Sequence, residues 1–420
     1  MKRHVILGAG PAGVIAAETL RKHAPADEIV IVGDEPEPPY SRMAIPYLLV
    51  GRIDERGTYL RKDPRHFEQL RVAVRRGRAT QVDAVARKVL LDDGQALAFD
   101  TLLVATGSTP VRPPIPGMHL PQVHSCWTLE DARHILELAK PGARVLQMGA
   151  GFIGCIIMEA LAARDVQLTV VEMGDRMVPR MMGPTAGGMI KHWCERKGVR
   201  VYTGTRVEAV EAGAPLAVRL DSGERLDVDL LISATGVRPN IGFLENSGVR
   251  CLQGVLTDEH MQTNVAGIYA AGDCAQAYDL ASNRTIVSAI QPNAADQAYV
   301  AALNMAGRHA VLRGVTQINV LDTLGLISSS FGDWQGVPGG QHVELTDREQ
   351  YRHLSLQFDG DRLVGCNSVG WTQHVGVMRG LVEGRVRLGT WKDRLLADPT
   401  RLMEAYLARA QAQERRAAWR

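Results

Sequence analysis

The sequence predicts an α/β fold in which one parallel-sheet domain occurs twice and an α+β domain follows. Two glycine motifs of identical spacing carry this prediction, Gly8-x-Gly10-x-x-Gly13 and Gly149-x-Gly151-x-x-Gly154. Each motif follows a short apolar run and precedes a helical pattern, which is the strand–turn–helix order of a Rossmann-like, three-layer domain that binds a dinucleotide. Roughly 90 to 100 residues after each motif an apolar strand ends in Ala-Thr-Gly, which indicates a duplicated domain.

The glycines of the first motif have separate physical tasks. Gly8 makes the tight turn, Gly10 lets the backbone approach a pyrophosphate, and Gly13 lets the helix pack on the strand. The helix that starts at Pro11 offers unpaired N–H groups to the phosphates from Ala12 onwards. We therefore expect these residues to bind one dinucleotide.

Candidate ligands of the same dinucleotide follow the next strand. The apolar residues 28–33 lead to Asp34 and Glu35, at the strand tip where a Rossmann unit holds the adenosine ribose hydroxyls with a carboxylate. We favour Glu35 over Asp34, and a solvated turn acid is the alternative interpretation. The proline-rich loop that follows brings Arg42 to a position from which it can contact phosphate.

The second motif predicts a second dinucleotide, with Gly149, Gly151, Phe152, Ile153 and Gly154 in its turn. The next strand ends in Glu172, close to the expected spacing of about 20 residues after the first glycine. A carboxylate there accepts from the ribose 2′-OH and repels a 2′-phosphate, so NADH is favoured over NADPH. Arg176 lies close enough in sequence to work against that preference.

Further small-residue turns lie at the ends of apolar strands, where a cofactor is expected. The carboxylate of Asp273 follows a glycine at such a strand end, a place where it could bind a ligand hydroxyl. These expected cofactor-binding residues are Ala105, Thr106, Gly107, Thr235, Gly236, Gly272 and Asp273.

The bulk composition excludes several classes of function. The net charge of +2 does not support nucleic-acid binding, which usually needs a strongly basic face. No apolar run is long enough to span a bilayer, and the first strand starts too early for a signal peptide, so we expect a cytoplasmic protein without a membrane partner. The six cysteines form no C-x-x-C pair, so neither a zinc site nor a local dithiol is expected, and we assign no metal.

Taken together, these motifs resemble the FAD-dependent pyridine nucleotide–disulphide oxidoreductases. The stretch Gly236-Val-Arg-Pro-Asn240 is similar within that family to NADH-dependent rubredoxin and ferredoxin reductases and to the flavin part of nitrite reductases. The resemblance implies FAD and NADH as cofactors, and it implies that Asp273 binds the flavin ribityl chain. It also implies a discontinuous FAD-binding domain, at residues 1–114 and 246–310, around an NADH-binding domain at 115–245.

Residues 311–420 resemble the family's C-terminal interface domain, which often supports a homodimer. Short strand-like pieces there precede two predicted helical runs, at residues 373–383 and 393–413.

The chain departs from its relatives at residues that carry their thiol and proton chemistry. The loop Ser41-Arg-Met-Ala-Ile-Pro-Tyr47 has no cysteine where disulphide reductases carry one or two, so disulphide reduction is not expected. Ile156 and Tyr47 replace a glutamate and a lysine that many relatives place near the flavin. Catalytic residues therefore stay unassigned, with Cys155 and Glu159 as weak candidates.

The sequence predicts that NADH gives hydride to FAD and that electrons pass on to a small redox protein, rubredoxin- or ferredoxin-like. The alternatives are an NADH oxidase, the flavin component of a larger reductase such as a nitrite reductase, and a redox-sensing binding protein. Cys155 and Cys274 both follow cofactor turns, and packing is the favoured interpretation of each.

Overall fold

The computed structural model describes residues 1–280 and 282–417, and only the backbone of Ile318 and of residues 410–417. The chain divides into two compact units, each built from two stretches. The first unit comprises residues 1–109 and 237–316, and the second comprises residues 110–236 and 317–420. None of the helices in the described residues is long and apolar enough to cross a membrane.

Residues 1–236 contain two similar series of elements. The helices are α1 (Pro11–His23), α2 (Ile45–Leu49), α3 (Glu55–Thr58), α4 (His66–Gln69), α5 (Leu129–Leu138), α6 (Phe152–Ala162) and α7 (Pro184–Arg196). The first strands are β1 (Arg3–Leu7), β2 (Glu28–Gly33), β3 (Val72–Arg76), β4 (Ala79–Asp83), β5 (Lys88–Leu91), β6 (Ala96–Ala98), β7 (Thr101–Val104) and β8 (Ser108–Pro110). The next are β9 (Val123–His124), β10 (Arg144–Met148), β11 (Gln167–Glu172), β12 (Arg200–Thr203), β13 (Val207–Glu211), β14 (Leu216–Leu220), β15 (Arg225–Val228) and β16 (Leu230–Ser233).

The rest of the chain completes the first unit and then adds an antiparallel sheet to the second. Its strands are β17 (Val237–Pro239), β18 (Val255–Leu256), β19 (Ile268–Ala270), β20 (Ala275–Tyr278), β21 (Thr285–Val287), β22 (Ile318–Thr323), β23 (Leu326–Gly332), β24 (Gln341–Asp347), β25 (Arg352–Asp359) and β26 (Arg362–Val369). Its helices are α8 (Gln291–Met305), α9 (Val375–Glu383), α10 (Trp391–Ala397) and α11 (Leu402–Ala417).

Each unit contains a parallel sheet of the same construction. In the first unit the strand order is β19-β7-β1-β2-β3, and in the second it is β12-β11-β10-β16-β9. The strand before the glycine motif is therefore central in both sheets, between the next strand and the strand that ends in Ala-Thr-Gly. A small antiparallel sheet also accompanies each one, β4-β5-β6 and β13-β14-β15. The repeat of order and direction confirms the predicted fold class.

The central strands are apolar on both faces because helices or loops cover both faces of a parallel sheet. In β1 every residue after Arg3 is buried, and β7 and β16 are buried throughout. Helix α1 follows β1 directly and contributes Ala16, Ala17 and Leu20 to the core of the first unit. These buried runs place the glycine turns at the carboxyl ends of the central strands, where ligands bind in open α/β sheets.

The C-terminal part of the second unit is an antiparallel sheet of order β22-β23-β26-β25-β24. Helices α9 and α11 supply apolar side chains to its core, together with Phe331, Leu356 and Phe358 from the strands. Strand β24 was not predicted from the sequence. Its residues are exposed except for Val343, so the apolar alternation that would indicate a strand is missing.

The single helical run predicted for residues 393–413 is wrong, because the structure contains two helices there, α10 and α11. Pro399 disfavours the helical region for the residue before it, and Asp398 is extended at φ −146° and ψ 97°. The Asp398 carboxylate then accepts hydrogen bonds from the amide and the hydroxyl of Thr400, at 3.0 and 2.6 Å. This turn separates the two helices.

Candidate cofactor-binding sites

The first glycine turn has the shape that a dinucleotide phosphate needs. Gly8 has φ +116°, and a Cβ there would lie 2.0 Å from the carbonyl oxygen of Ala105. A Cβ at Gly13 would lie 2.0 Å from the carbonyl oxygen of Gly8, so helix and turn touch backbone to backbone. A Cβ built at Gly10, in contrast, would have no heavy atom of the described residues within 4 Å, apart from its chain neighbours and the backbone of its own helix. The turn is therefore tightly packed at Gly8 and Gly13, and it is open at Gly10, where a pyrophosphate would approach.

The second glycine turn repeats this geometry. Gly149 has φ +94° and its Cβ would meet the carbonyl oxygen of Ala234 at 2.4 Å, while a Cβ at Gly154 would meet that of Gly149 at 2.5 Å. The position of a Cβ at Gly151 has open space around it within the part of the chain that the structure describes. Phe152 and Ile153 form the start of α6, as Pro11 and Ala12 form the start of α1. A helix start of this kind is a position that favours an anion.

The Ala-Thr-Gly turns complete both sites from the neighbouring strand. Thr106 and Asn240 form a reciprocal pair of hydrogen bonds. The Thr106 hydroxyl donates to the backbone carbonyl of Asn240 at 2.7 Å, and the Thr106 carbonyl accepts from the side-chain amide of Asn240 at 3.0 Å. Gly107 follows at φ +65°. In the second unit Thr235 donates to the carbonyl of Val111 at 3.2 Å, and Gly236 has φ +113°.

The two acidic residues after β2 have different partners. One Glu35 carboxylate oxygen accepts from Arg42 at 2.5 Å, and the other accepts from the hydroxyl of Tyr40. Asp34 instead pairs with Arg78 at 2.8 Å, and both side chains are largely exposed. The structure therefore joins Glu35 and Arg42 in one cluster and leaves Asp34 outside it. Tyr40 was missed by the sequence reasoning, although it lies in the same proline-rich loop.

In the second unit, Glu172 is held by the backbone of its own site. One of its carboxylate oxygens accepts from the amide of Ala150, inside the glycine turn, and the other accepts from the amide of Gly174, both at 2.7 Å. The residue is 8% exposed. An ionised carboxylate has further lone pairs for a ribose hydroxyl, and its charge opposes a 2′-phosphate.

Asp273 lies at the end of β19 with its carboxylate near the first unit's turn residues. It accepts from the hydroxyl of Ser108 at 2.9 Å. Burial raises the pKa of Asp273, while the Ser108 hydrogen bond and the charge of Arg42 oppose that rise. The amide of the preceding Gly272 donates to the side-chain oxygen of Gln297 at 2.7 Å, and Gln297 is fully buried in α8. Ser108 and Gln297 were missed because an isolated hydroxyl or amide leaves no sequence pattern.

The candidate thiols are buried. Cys155 is fully buried and lies 3.7 Å from the carbonyl oxygen of Ala150, and burial raises the pKa of its thiol. Cys274 is fully buried against the carbonyls of Val104 and Ala271, and burial raises its pKa as well. A reactive cysteine needs an accessible thiolate, so this geometry favours a packing role for both cysteines.

The other candidate catalytic residue, Glu159, is half-buried in α6. Among the described residues no three His, Cys, Asp or Glu side chains form a group that could hold a metal ion.

Comparisons with known proteins agree with this geometry. Residues 2–298 match the pyridine nucleotide-disulphide oxidoreductase family. The chain is 32% identical over 404 residues to the NADH-dependent phenylglyoxylate dehydrogenase subunit epsilon of Aromatoleum evansii, which covers 94% of this chain and 95% of that protein. It is 31% identical over 391 residues to an NADH oxidase of Methanocaldococcus jannaschii, covering 88% and 87%. Among solved structures, a chain of the covalent putidaredoxin reductase–putidaredoxin complex matches with a TM-score of 0.89 and 25% identity, covering 97% of this chain and 99% of that one.

The family match spans most of the chain, and it includes both glycine turns and the Gly272-Asp273 turn. The resemblance stated from the motifs is thereby confirmed. This chain belongs to the pyridine nucleotide-disulphide oxidoreductase family.

Proposed function

We propose that this protein is an FAD-dependent NADH oxidoreductase that passes electrons to a small redox protein of the rubredoxin or ferredoxin type. The observation that carries the proposal is the pair of glycine turns, one in each unit, with the same backbone packing and the same open position at the second glycine. The first unit would hold FAD through its turn, Glu35, Arg42 and Asp273. The second would hold NADH through its turn and Glu172.

The loop after β2 supports an acceptor other than a disulphide. Residues 41–47 form a short 3₁₀ turn, Arg42–Ala44, and the start of α2, and they contain no cysteine. All six cysteines of the chain are free thiols, and all but Cys251 are buried. The loop therefore has no pair of cysteines that could carry electrons from the flavin to a substrate. Electrons would leave directly for an external acceptor.

Bound FAD would supply the conversion between a two-electron hydride donor and a one-electron carrier. The chain's own residues would bind and orient the two cofactors. The α1 and α6 N-termini favour the pyrophosphates, Glu172 selects the ribose of NADH, and Asp273 with Ser108 provides polar partners for a hydroxylated chain. No acid–base pair is needed for hydride transfer, which is consistent with Ile156 and Tyr47 at positions where relatives place ionisable groups.

The proposal is tested by stopped-flow mixing of the NADH-reduced protein with oxidised ferredoxin and with oxidised rubredoxin, under argon and in air. We expect flavin bleaching by NADH, followed by reoxidation by a carrier that is faster than reoxidation by air. A Gly151→Ala variant serves as the matched control, because a methyl group there blocks only the second turn. It should lose reduction by NADH yet still pass electrons to the carrier after reduction by dithionite. Reoxidation by carriers no faster than by air would contradict the proposed acceptor.

A second candidate is the flavin component of a larger oxidoreductase. The subunit epsilon of the phenylglyoxylate dehydrogenase is similar to this chain from end to end, not only in the nucleotide-binding part. Under this alternative the protein copurifies with other subunits and is slow with free carriers. An NADH oxidase would instead consume oxygen rapidly on its own. Measuring oxygen uptake with an oxygen electrode therefore distinguishes an NADH oxidase from the flavin component of a larger oxidoreductase.

We also propose that the protein acts in the cytoplasm as a homodimer, without nucleic-acid or membrane partners. Helix α11 supports this, since Met403, Tyr406 and Leu407 expose apolar side chains on its surface. The small net charge of +2 provides little attraction to phosphate backbones. Sedimentation equilibrium should give twice the mass of one chain, and a single-chain mass would exclude the dimer.

A further inference from the structure

Residues 173–183 connect Glu172, the carboxylate proposed to bind the ribose, to helix α7. We name them the ribose segment. Its beginning is tied to the second glycine turn. Glu172 accepts from both Ala150 and Gly174, and the amide of Val178 donates to the carbonyl of Ala150 at 2.8 Å. The glycine turn, the carboxylate and the ribose segment therefore form one hydrogen-bonded group.

The middle of the ribose segment is strained and clamped. Val178 has φ +50°, a left-handed conformation that is costly for a β-branched residue and persists only where the surroundings enforce it. Arg176 supplies part of that enforcement, because its guanidinium donates to the carbonyls of Met182 at 2.9 Å and Pro179 at 3.3 Å. It also pairs with Asp175 at 2.6 Å. These three partners of the Arg176 guanidinium all belong to the ribose segment.

The end of the ribose segment is held by a residue from the C-terminal sheet. The side-chain oxygen of Asn367, in β26, accepts from the amide of Gly183 at 2.9 Å. Its side-chain nitrogen donates to the carbonyl of Met181 at 3.0 Å and to the hydroxyl of Ser330 at 3.1 Å. Asn367 is 2% exposed and Met181 is 3% exposed, so water cannot readily replace the hydrogen bond between them.

We propose that Asn367 is a positioning residue for NADH, so that the C-terminal domain sets the affinity of the nucleotide site. Its hydrogen-bond partners among the described residues do not include the glycine turn, so it acts at a distance from that turn. It acts by fixing the far end of a strained segment whose near end carries Glu172. Without it, the buried carbonyl of Met181 and the half-buried amide of Gly183 lose their partners, and the segment relaxes towards an unstrained Val178. The inference rests on the proposed oxidation of NADH.

The test compares Asn367→Ala with Ser368→Ala in the FAD-loaded full chain. Ser368 is the next residue of the same strand, equally buried, and its hydroxyl bonds to that of Ser329 at 2.7 Å, away from the ribose segment. Both variants remove a buried hydrogen-bonding side chain from one sheet. Only the first releases the ribose segment, so the pair separates positioning from general loss of stability.

We expect Asn367→Ala to raise the Kd for NADH about five- to twentyfold, measured from the NADH dependence of flavin reduction by stopped flow. FAD content and the limiting reduction rate at saturating NADH should stay within about twofold of wild type, because the chemistry is untouched. Ser368→Ala should leave the Kd unchanged. If Asn367→Ala does not fold, Asn367→Asp carries the test, since it keeps the acceptor for Gly183 and loses the donor for Met181.

Equal Kd values in both variants, at equal losses of Tm, would overturn the proposal and make Asn367 merely structural. A fall in the limiting rate without a change in Kd would overturn it as well. Failure of the proposed function is a separate result, because then the wild-type flavin would not be bleached by NADH at all.

Discussion

The glycines of each motif differ in what surrounds them, and this difference can be tested residue by residue. Gly8 and Gly149 have positive φ and face a backbone carbonyl at a distance that no Cβ tolerates. Gly10 and Gly151 have ordinary φ values of −78° and −74° and open surroundings. The first pair is therefore needed for folding, and the second pair for the ligand.

Gly8→Ala should prevent the first unit from folding normally, because a Cβ would lie 2.0 Å from the carbonyl of Ala105. Gly10→Ala should leave the Tm of the FAD-free protein within about 2 °C of wild type but weaken FAD binding by about tenfold or more. Thermal unfolding and FAD titration of the apoprotein measure both effects. A Gly10→Ala protein with normal FAD affinity would show that the pyrophosphate does not approach this turn.

We expect Glu172, and not Arg176, to decide between the two nicotinamide nucleotides. Removing the negative charge in Glu172→Gln should lower kcat/KM for NADH several-fold and raise the NADPH-to-NADH ratio about tenfold. Arg176→Ala should not selectively reduce activity with NADPH, because that guanidinium is bonded within the ribose segment. Arg180→Ala, an exposed arginine of the same segment, is the matched control. A selective loss of NADPH activity in Arg176→Ala would show that the arginine binds the 2′-phosphate.

At the scale of elements, apolar runs and glycine spacing were enough to predict the parallel sheets. Strands β1, β2, β7, β10, β11 and β16 and helices α1 and α6 lie where their patterns place them. The strand β24 and the break between α10 and α11 were not predicted. Strand β24 is almost entirely exposed, and the break depends on one proline and one carboxylate within an otherwise helical pattern.

Strand β1 contains a buried histidine, His4, that should make the free energy of unfolding depend on pH. His4 is fully buried, with Nδ1 2.6 Å from the hydroxyl of Thr101 and Nε2 3.1 Å from the carboxylate of Asp27. Burial lowers its pKa, although the charges of Asp27 and Asp100 oppose the change and that of Lys2 adds to it. The native state therefore favours the neutral ring.

Below the ordinary histidine pKa of about 6.5, His4 binds a proton in the unfolded chain but stays neutral in the native chain until the pH is lower still. The contribution of His4 to stability should thus be present above that pH and decline as the pH falls through the folded pKa. Chemical denaturation between pH 7.5 and 5.5 should show a fall for wild type and a shallower one for His4→Gln. The same change at the exposed His119 should leave the slope as in wild type. An unchanged slope in His4→Gln would contradict the assignment.

For the whole molecule, the burial of the thiols has a direct consequence. Burial raises the pKa of Cys126, Cys194 and Cys366 to about 12, and it raises that of Cys155 and Cys274 as well. Iodoacetamide at neutral pH should therefore modify the native protein slowly, and mainly at the half-buried Cys251.

Mass spectrometry of the alkylated protein, with unfolded protein as the control, measures this accessibility. NADH-dependent flavin reduction should survive the treatment. Rapid alkylation of Cys155 or Cys274 with loss of activity would instead indicate a thiol step in the reaction.

The order of apolar runs and glycines was sufficient to predict a duplicated nucleotide-binding fold, the positions of both turns and two dinucleotides, while the resemblance of the motifs to a known family identified them as FAD and NADH. These features are local: a tight turn, a buried strand and an open helix start depend on neighbours in the chain. The partners of the site residues could not be predicted in this way. Ser108 reaches Asp273, Gln297 holds Gly272, and Asn367 fixes Gly183 from far along the chain. Such contacts depend on how distant segments pack, and a single amide or hydroxyl has no spacing that would reveal its partner.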